Sequence, residues 1–171
     1  MRIRWCTALL IGLLVSPALA GIVVSFYPPA QVWLPSGDAT VNIVADIPES
    51  DAIIGWGLDL GLTGNPAALT GPPVIGPLFT PAYAPDGDGL AGLVPPPDVV
   101  WGSGIVLASL ALHTANPLGT TYLDASVTPG DLFEGFMTEN GFAQVTFVQG
   151  VITPEPASLL LLALVGLLRR R

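Results

Sequence analysis

The 171-residue chain has no basic side chain in its long central part. Its five basic residues are arginines at positions 2, 4 and 169–171. Of its 13 acidic residues, all but Glu155 lie within residues 21–153, so that segment holds twelve carboxylates and a formal charge of −12. Lys–Asp and Arg–Glu ion pairs are therefore excluded there. Nucleic acid binding is not expected either, because no cation can meet a phosphate.

Thiol and imidazole groups are almost absent as well. The one cysteine is Cys6, and the one histidine is His113, near the end of an apolar segment. Residues 21–153 therefore cannot form a disulfide. A zinc site would need three or four ligands of the His, Cys or carboxylate type. With no Gly-x-Ser-x-Gly motif either, we predict no enzyme and no cofactor. The interpretation of His113 is a strand-end residue without chemistry.

One acidic turn is a candidate Ca²⁺ site. Asp86 and Asp88 alternate with Gly87 and Gly89. Two carboxylates on a flexible glycine frame can converge on Ca²⁺, which takes six to eight oxygen ligands. A complete calcium loop needs further acidic or amide positions, and Leu90 and Ala91 do not supply them. The alternative is an acidic turn that binds no metal.

The first twenty residues have the organisation of a secretory signal peptide. Arg2 and Arg4 form a basic region, and positions 5–15 form an apolar region. Ala18 and Ala20 complete a small-residue cleavage site, so we expect the mature chain to begin at Gly21 after export by the Sec machinery. An uncleaved N-terminal anchor is the alternative.

The last eighteen residues consist of three pieces in a fixed order. Pro154-Glu155-Pro156 is a stiff segment that continues neither a helix nor a sheet. An uncharged apolar run follows at 157–168. Arg169, Arg170 and Arg171 close the chain and would hold the run's end on the cytoplasmic side.

This order closely resembles the PEP-CTERM sorting signal of Gram-negative bacteria. The resemblance implies processing near Pro154-Glu155-Pro156 by an exosortase-type membrane enzyme, after an inner-membrane intermediate. The apolar run has twelve residues, about 18 Å as a helix, whereas a permanent span needs about 20 residues. That shortness favours a transient sorting signal over the alternative, a plain tail anchor.

Residues 21–153 are long enough for one domain, and their pattern is all-β. Alternating or β-branched segments are separated by Pro/Gly turns, and Pro-rich 63–98 is poor in regular structure. We predict inward-facing sets at Val41, Ile43, Ala45 and Ile47, at Ile54, Trp56, Leu58, Leu60 and Leu62, and at Thr121, Leu123, Ala125 and Val127. The other predicted strands cover 22–27, 32–34, 78–79, 89–94, 105–113, 142–148 and 150–153.

Strands at this spacing favour a single β-sandwich. The segments Pro35-Ser36-Gly37-Asp38, 54–60, 104–112 and 117–123 are similar to segments of cohesin-type domains. That resemblance implies a jelly-roll sandwich related to some carbohydrate-binding modules, flanked by the signal peptide and a short C-terminal hydrophobic helix. It does not imply that this chain binds a dockerin.

Two features of the sandwich bear on binding. Gly55, Gly57 and Gly61 leave one face of a strand bare, which either admits a partner or belongs to a covered or bulged strand. Trp33 and Trp101 lie beside turns and are candidates for stacking on sugar rings, whereas Trp56 alternates with core residues and is expected to be buried.

These patterns predict an exported cell-surface or extracellular-matrix protein. Its sandwich would be a non-enzymatic structural or adhesive module, associated with exopolysaccharide or with another surface protein. The alternatives are a carbohydrate-binding module and a secreted glycosidase that uses two carboxylates. No pair of carboxylates stands out for the latter.

Overall fold

The computed structural model describes residues 21–33, 37–64, 67–82, 89–114 and 119–154. The predicted signal peptide and sorting segment lie outside these ranges except for Gly21 and the backbone of Pro154. Within the described ranges, none of the helices has the length and apolar character needed to cross a bilayer. The hydrophobic helix predicted at 157–168 lies outside the described residues.

Most of the described residues lie in strands. In chain order these are β1 (Ile22–Tyr27), β2 (Ala30–Trp33), β3 (Gly37–Ile47), β4 (Ile53–Gly64), β5 (Ala68–Leu69), β6 (Val74–Ile75), β7 (Thr80–Pro81), β8 (Gly89–Leu93), β9 (Gly102–Thr114), β10 (Thr121–Ser126), β11 (Gly135–Thr138), β12 (Gly141–Phe142), β13 (Val145–Phe147) and β14 (Gly150–Pro154). A single 3₁₀ turn at Glu49–Asp51 joins β3 to β4.

The strands form two sheets that pack face to face. Sheet A has the order β13-β1-β3-β9-β5, and β6 also pairs with β9. Sheet B has the order β12-β11-β4-β10-β14-β2, with β8 on the other side of β4 and β7 beyond β8. The pairings are antiparallel except for β1 with β13 and β14 with β2.

The two ends of the described chain are paired with each other. Ile22–Val24 lie parallel to Val145–Phe147 in sheet A. Further along, Ala30–Trp33 lie parallel to Val151–Pro154 in sheet B. The first and last segments therefore cross from one sheet to the other side by side, and each needs the other to complete its ladder.

Alternating side chains fill the space between the sheets. Val41, Ile43, Ala45 and Ile47 are buried, as the alternation of that segment predicts. The largest side chains that are fully buried come from both sheets: Phe136, Ile22, Ile43, Ile53, Leu58, Leu107, Leu110, Leu112, Leu123, Val24 and Val41. The all-β sandwich expected from the sequence is confirmed.

The predicted burial of Ile54 at the start of β4 was wrong. Ile53, not Ile54, is fully buried, while Trp56 and Leu58 face inward as predicted. The register between β4 and β11 shifts between Met137 and Thr138, where Gly55 and then Ile53 are the paired residues. This irregularity inserts one extra residue and reverses the side-chain alternation.

Three strand assignments also differ. The segment 78–79 lies outside strands, and the pairing begins instead at Thr80. The predicted 142–148 strand is divided, with Phe142 ending β12 and Val145 beginning β13 in the other sheet. β10 ends at Ser126, so Val127 is only partly buried.

We expect a chain ending at Pro154 to fold and a chain ending at Gln149 to fail. β14 pairs with β10 on one side and with β2 on the other, and it buries Ile152 to 4% exposure. Loss of β14 would leave backbone groups of β10 and β2 without hydrogen-bond partners, and it would expose side chains of the core. Thermal unfolding of the purified chains 21–154 and 21–149, followed by circular dichroism, checks this. Equal melting temperatures would contradict the role given to β14.

Candidate functional site

The outer face of β4 is where the predicted bare surface lies. Trp56 and Leu58 point into the core, so Gly55, Gly57 and Asp59 point outward. Trp56 lies edge-on to Phe79, with ring centroids 5.8 Å apart, and occupies the space that a side chain at Gly92 would need. The tryptophan is therefore a core residue, as predicted, and the glycines form the floor of a surface.

β10 and β11 run in line along the same side of β4. Asp59 pairs with both Ser126 and Gly89, and Gly57 pairs with both Gly135 and Ala91. Since β8 supplies Gly89 and Ala91, β10 and β11 must both lie on the opposite side from β8. Residues 127–134 connect β10 to β11 and are hereafter called the 127–134 loop.

The 127–134 loop lies on the glycine floor. A Cβ atom at Gly57 would overlap the carbonyl oxygen of Phe133, so the loop backbone sits directly on this residue. Thr128 holds the loop: its hydroxyl donates to Asp59 Oδ2 at 3.1 Å, and its backbone N–H donates to Glu134 Oε2. Part of the bare face is thus covered, and only glycine at position 57 permits the contact.

Beside the loop, the floor stays open as an apolar groove of about 370 Å³. Its base is formed by Gly55, Ala91 and Gly135. Its walls carry large apolar side chains with high exposure: Leu93 51%, Leu132 76%, Phe133 60%, Met137 38% and Phe142 52%. Hereafter, the apolar groove means these five side chains and that base.

Two glycines keep the base of the groove open. A Cβ at Gly55 would lie 2.8 Å from Leu93 Cδ2, and one at Gly135 would lie 2.8 Å from Phe142 Cδ1. Gly135 also has φ +115°, a backbone conformation that other residues rarely adopt. Side chains at these positions would push the walls outward and fill the base.

The electrostatic surroundings of the groove are acidic. Asp131 lies in the loop, where its Oδ1 accepts a hydrogen bond of 2.8 Å from the Phe133 N–H. Glu139 is exposed two residues after Met137. With no lysine or arginine between positions 5 and 168, no side-chain ammonium or guanidinium group balances these carboxylates. An apolar site on a domain that carries carboxylates and neither lysine nor arginine favours a ligand with positive charge.

The aromatic residues singled out for sugar stacking are not brought together with the groove. Trp101 is 53% exposed and lies just before β9. Trp33 contributes backbone to β2, and its side chain lies outside the described part. Sugar stacking by Trp33 and Trp101 stays a prediction.

His113 is on the outer face of sheet A. Its Nδ1 lies 2.6 Å from Asp38 Oδ1, and the two side chains are 43% and 81% exposed. This is an exposed His–Asp pair near the end of β9, and the interpretation of His113 as a strand-end residue without chemistry stays a prediction.

Metal ligation at the acidic turn is untested, because Asp86 and Asp88 lie outside the described residues. Within those residues, no group of three or more His, Cys, Asp or Glu side chains is placed to hold a metal ion. The predicted cleavage residues Ala18 and Ala20, the residues Glu155 and Pro156, and Arg169, Arg170 and Arg171 also lie outside the described ranges.

Solved structures with the same architecture are cohesin modules. The third ScaB cohesin of R. flavefaciens, in complex with a group 1 dockerin, matches with a TM-score of 0.59 at 11% identity, over 81% of this chain and 98% of that one. A non-cellulosomal cohesin from the archaeon Archaeoglobus fulgidus matches with a TM-score of 0.55 at 14% identity, over 81% and 93%. The fold is that of a cohesin module.

A third structure with this fold is the type III cohesin of the cell-surface anchoring scaffoldin ScaE from Ruminococcus flavefaciens. It matches with a TM-score of 0.51 at 16% identity, over 80% of this chain and 88% of that one. No protein-family model and no curated protein matches the sequence. At these identities the likeness establishes the cohesin-like sandwich, and the site must be argued from this chain's own residues.

Sequence reasoning found the glycine floor and missed the groove walls. Leu93 comes from β8, whereas the other walls come from the 127–134 loop, β11 and β12, and these short elements meet β8 only because β8 and β11 both pair with β4. One signal was present: Leu132-Phe133 follows Pro129-Gly130-Asp131, and two large apolar residues in a turn are unusual in a solvent-exposed loop.

Replacing Gly57 by alanine should destabilise the protein. The new methyl group would collide with the Phe133 backbone and lift the 127–134 loop, at a cost of about 1–3 kcal/mol. Gly61→Ala is the matched control, since its Cβ would meet only Asp124, at 3.5 Å from Cβ and 3.8 Å from the carbonyl oxygen, which are ordinary contacts. Urea unfolding of both variants measures the difference. A Gly57→Ala protein as stable as Gly61→Ala would show that the loop does not rest on the floor.

Proposed function

We propose that this chain is an exported, non-enzymatic protein-binding module of the cell surface or extracellular matrix, and that the apolar groove is its binding surface. The observation that carries the proposal is the cluster of five exposed large apolar side chains around a glycine base. Isolated exposed apolar residues are common, but a contiguous set in a concave surface marks an interaction site.

The structural neighbours support a binding role over a catalytic one. They are cohesins, and several of them are in complex with dockerins. A surface protein is therefore the proposed class of partner. Exopolysaccharide is a further proposed associate of the sandwich in the matrix, through Trp33 or Trp101.

The partner's contact segment should be apolar with basic flanks. The groove walls are Leu, Phe and Met side chains, which can repack around large apolar anchors. Asp131 and Glu139 stand near them on a domain that holds twelve carboxylates and no Lys or Arg. Basic residues at the edge of the partner would speed association, and acidic residues would oppose it.

A pair of synthetic peptides tests the groove. One carries Leu and Phe at helical spacing with Lys flanks, and the other has the same core with Glu flanks. We expect saturable calorimetric binding of the Lys peptide, weakened by salt, and about tenfold weaker binding of the Glu peptide. Equal binding of both peptides, or no saturable binding of either, would count against the site.

Two variants show where the Lys peptide binds. Phe133→Ser removes a groove wall whose ring is 60% exposed, so it should abolish most of the binding without unfolding the domain. Tyr27→Ser removes a comparably exposed ring, 62%, from a strand of sheet A and should leave binding unchanged. Equal losses in the two variants would place the peptide elsewhere.

Export and sorting complete the proposal. The Sec machinery would remove residues 1–20, and an exosortase-type enzyme would recognise Pro154-Glu155-Pro156 while 157–168 is held in the inner membrane. The route suits the fold, because Gly21 precedes β1 and β14 ends at Pro154. Removal of both signals would leave the sandwich complete, on the cell surface or in the matrix of a Gram-negative bacterium.

Intact mass of the protein from its native cells tests the processing. We expect a chain that begins at Gly21 and lacks Arg169–Arg171. A mass that retains these arginines, in a protein recovered with the inner membrane, would show a tail anchor and remove the exosortase from the proposal. The groove would be unaffected, since the peptide experiment addresses it separately.

A further inference from the structure

We infer that the C-terminal segment holds the sandwich end-on at the membrane, so that the apolar groove lies on the membrane-distal half and receives a partner that approaches from outside. This inference rests on the proposed membrane insertion of 157–168. It goes beyond that proposal because the strand registers determine which end of the domain faces the lipid.

The C-terminal segment 155–171, hereafter the tail, follows β14 and therefore leaves the sandwich at one defined end. Ile152 pairs with Thr121, which pairs with Gly64, so the end of β14 lies level with the end of β4. Two residues, Glu155 and Pro156, separate β14 from the apolar run, and they span at most about 7 Å. The end of the sandwich that contains Gly64 and Thr121 must therefore lie close to the bilayer surface.

The groove lies toward the opposite end of the same strands. Its base at Gly55 is nine residues before Gly64 in β4, or about 30 Å at a rise of about 3.3 Å per residue. Met137 pairs with Gly55 directly, and Leu93 pairs with it from the other side. The walls of the groove are consequently far from the tail in the direction of the strands.

The N-terminus lies at the distal end too. Ile22 donates its N–H to Gln144 O at 3.0 Å and pairs with Val145, whereas Pro154 lies ten residues further along the same pair of segments. A retained signal peptide would thus place a second apolar segment at the end opposite the tail. Both segments cannot enter one membrane while the sandwich stands end-on, so this state requires cleavage before Gly21.

Single-cysteine labelling can measure the orientation, because residues 21–171 contain no cysteine. In the chain 21–171, Ala68→Cys marks the proximal end and Asn140→Cys marks the distal end; both positions are exposed. The Ala68 backbone follows Gly64 in the chain, and Asn140 lies between β11 and β12. A donor dye on each cysteine is paired with an acceptor dye in the lipid headgroups of phospholipid vesicles.

We expect the chain to float with the vesicles and energy transfer from position 68 to exceed that from position 140 severalfold. Flotation with equal transfer from both positions would show a sandwich lying flat and overturn the orientation alone. Greater transfer from position 140 would show the inverted arrangement and overturn it as well. Absence of flotation, matching a control chain ended at Pro154, would overturn the membrane insertion and this inference with it.

Discussion

The absence of basic side chains is the constraint on which the rest of this structure depends. A domain with twelve carboxylates and no lysine or arginine has no side-chain ion pairs beyond what one histidine can offer. Its cohesion must come from backbone ladders and from apolar burial, and its carboxylates must find neutral donors. Thr128, Thr63 and Gln149 fill that role for Asp59 and Asp124. The hydrogen bond from Thr128 to Asp59, which holds the 127–134 loop beside the groove, is one example.

Close packing of backbone segments supplies contacts in a domain that has almost no side-chain ion pairs. Gly57 lets the 127–134 loop lie on β4, and Gly76 and Gly150 admit the Val106 backbone and the Phe26 side chain in the same way. Each contact brings two segments closer than a side chain would allow and removes surface from water. These positions tolerate no side chain, and at Gly57 this allows the loop that borders the apolar groove to lie on β4.

Sequence patterns predicted the inner faces well because burial imposes period two on a strand. Val41, Ile43, Ala45 and Ile47 follow that rule, and so do Trp56 and Leu58. The rule failed at Ile53, where a bulge in the pairing with β11 is not visible in one strand alone. The groove was beyond such reasoning for a related reason. Its walls meet only through the register of four short elements, and the 127–134 loop has no periodicity to read.

The order and register of the strands determine which end of the domain carries the groove and from which end the C-terminal segment leaves. A sandwich whose first and last segments run side by side must place its two termini at opposite ends of those segments. The groove shares the end of Gly21, and the tail leaves from the other. A binding surface at the tail's end would compete with the membrane for access, whereas one about 30 Å away along β4 does not. The topology that closes the fold therefore also separates the proposed binding surface from the segment that we propose to hold the domain at the membrane.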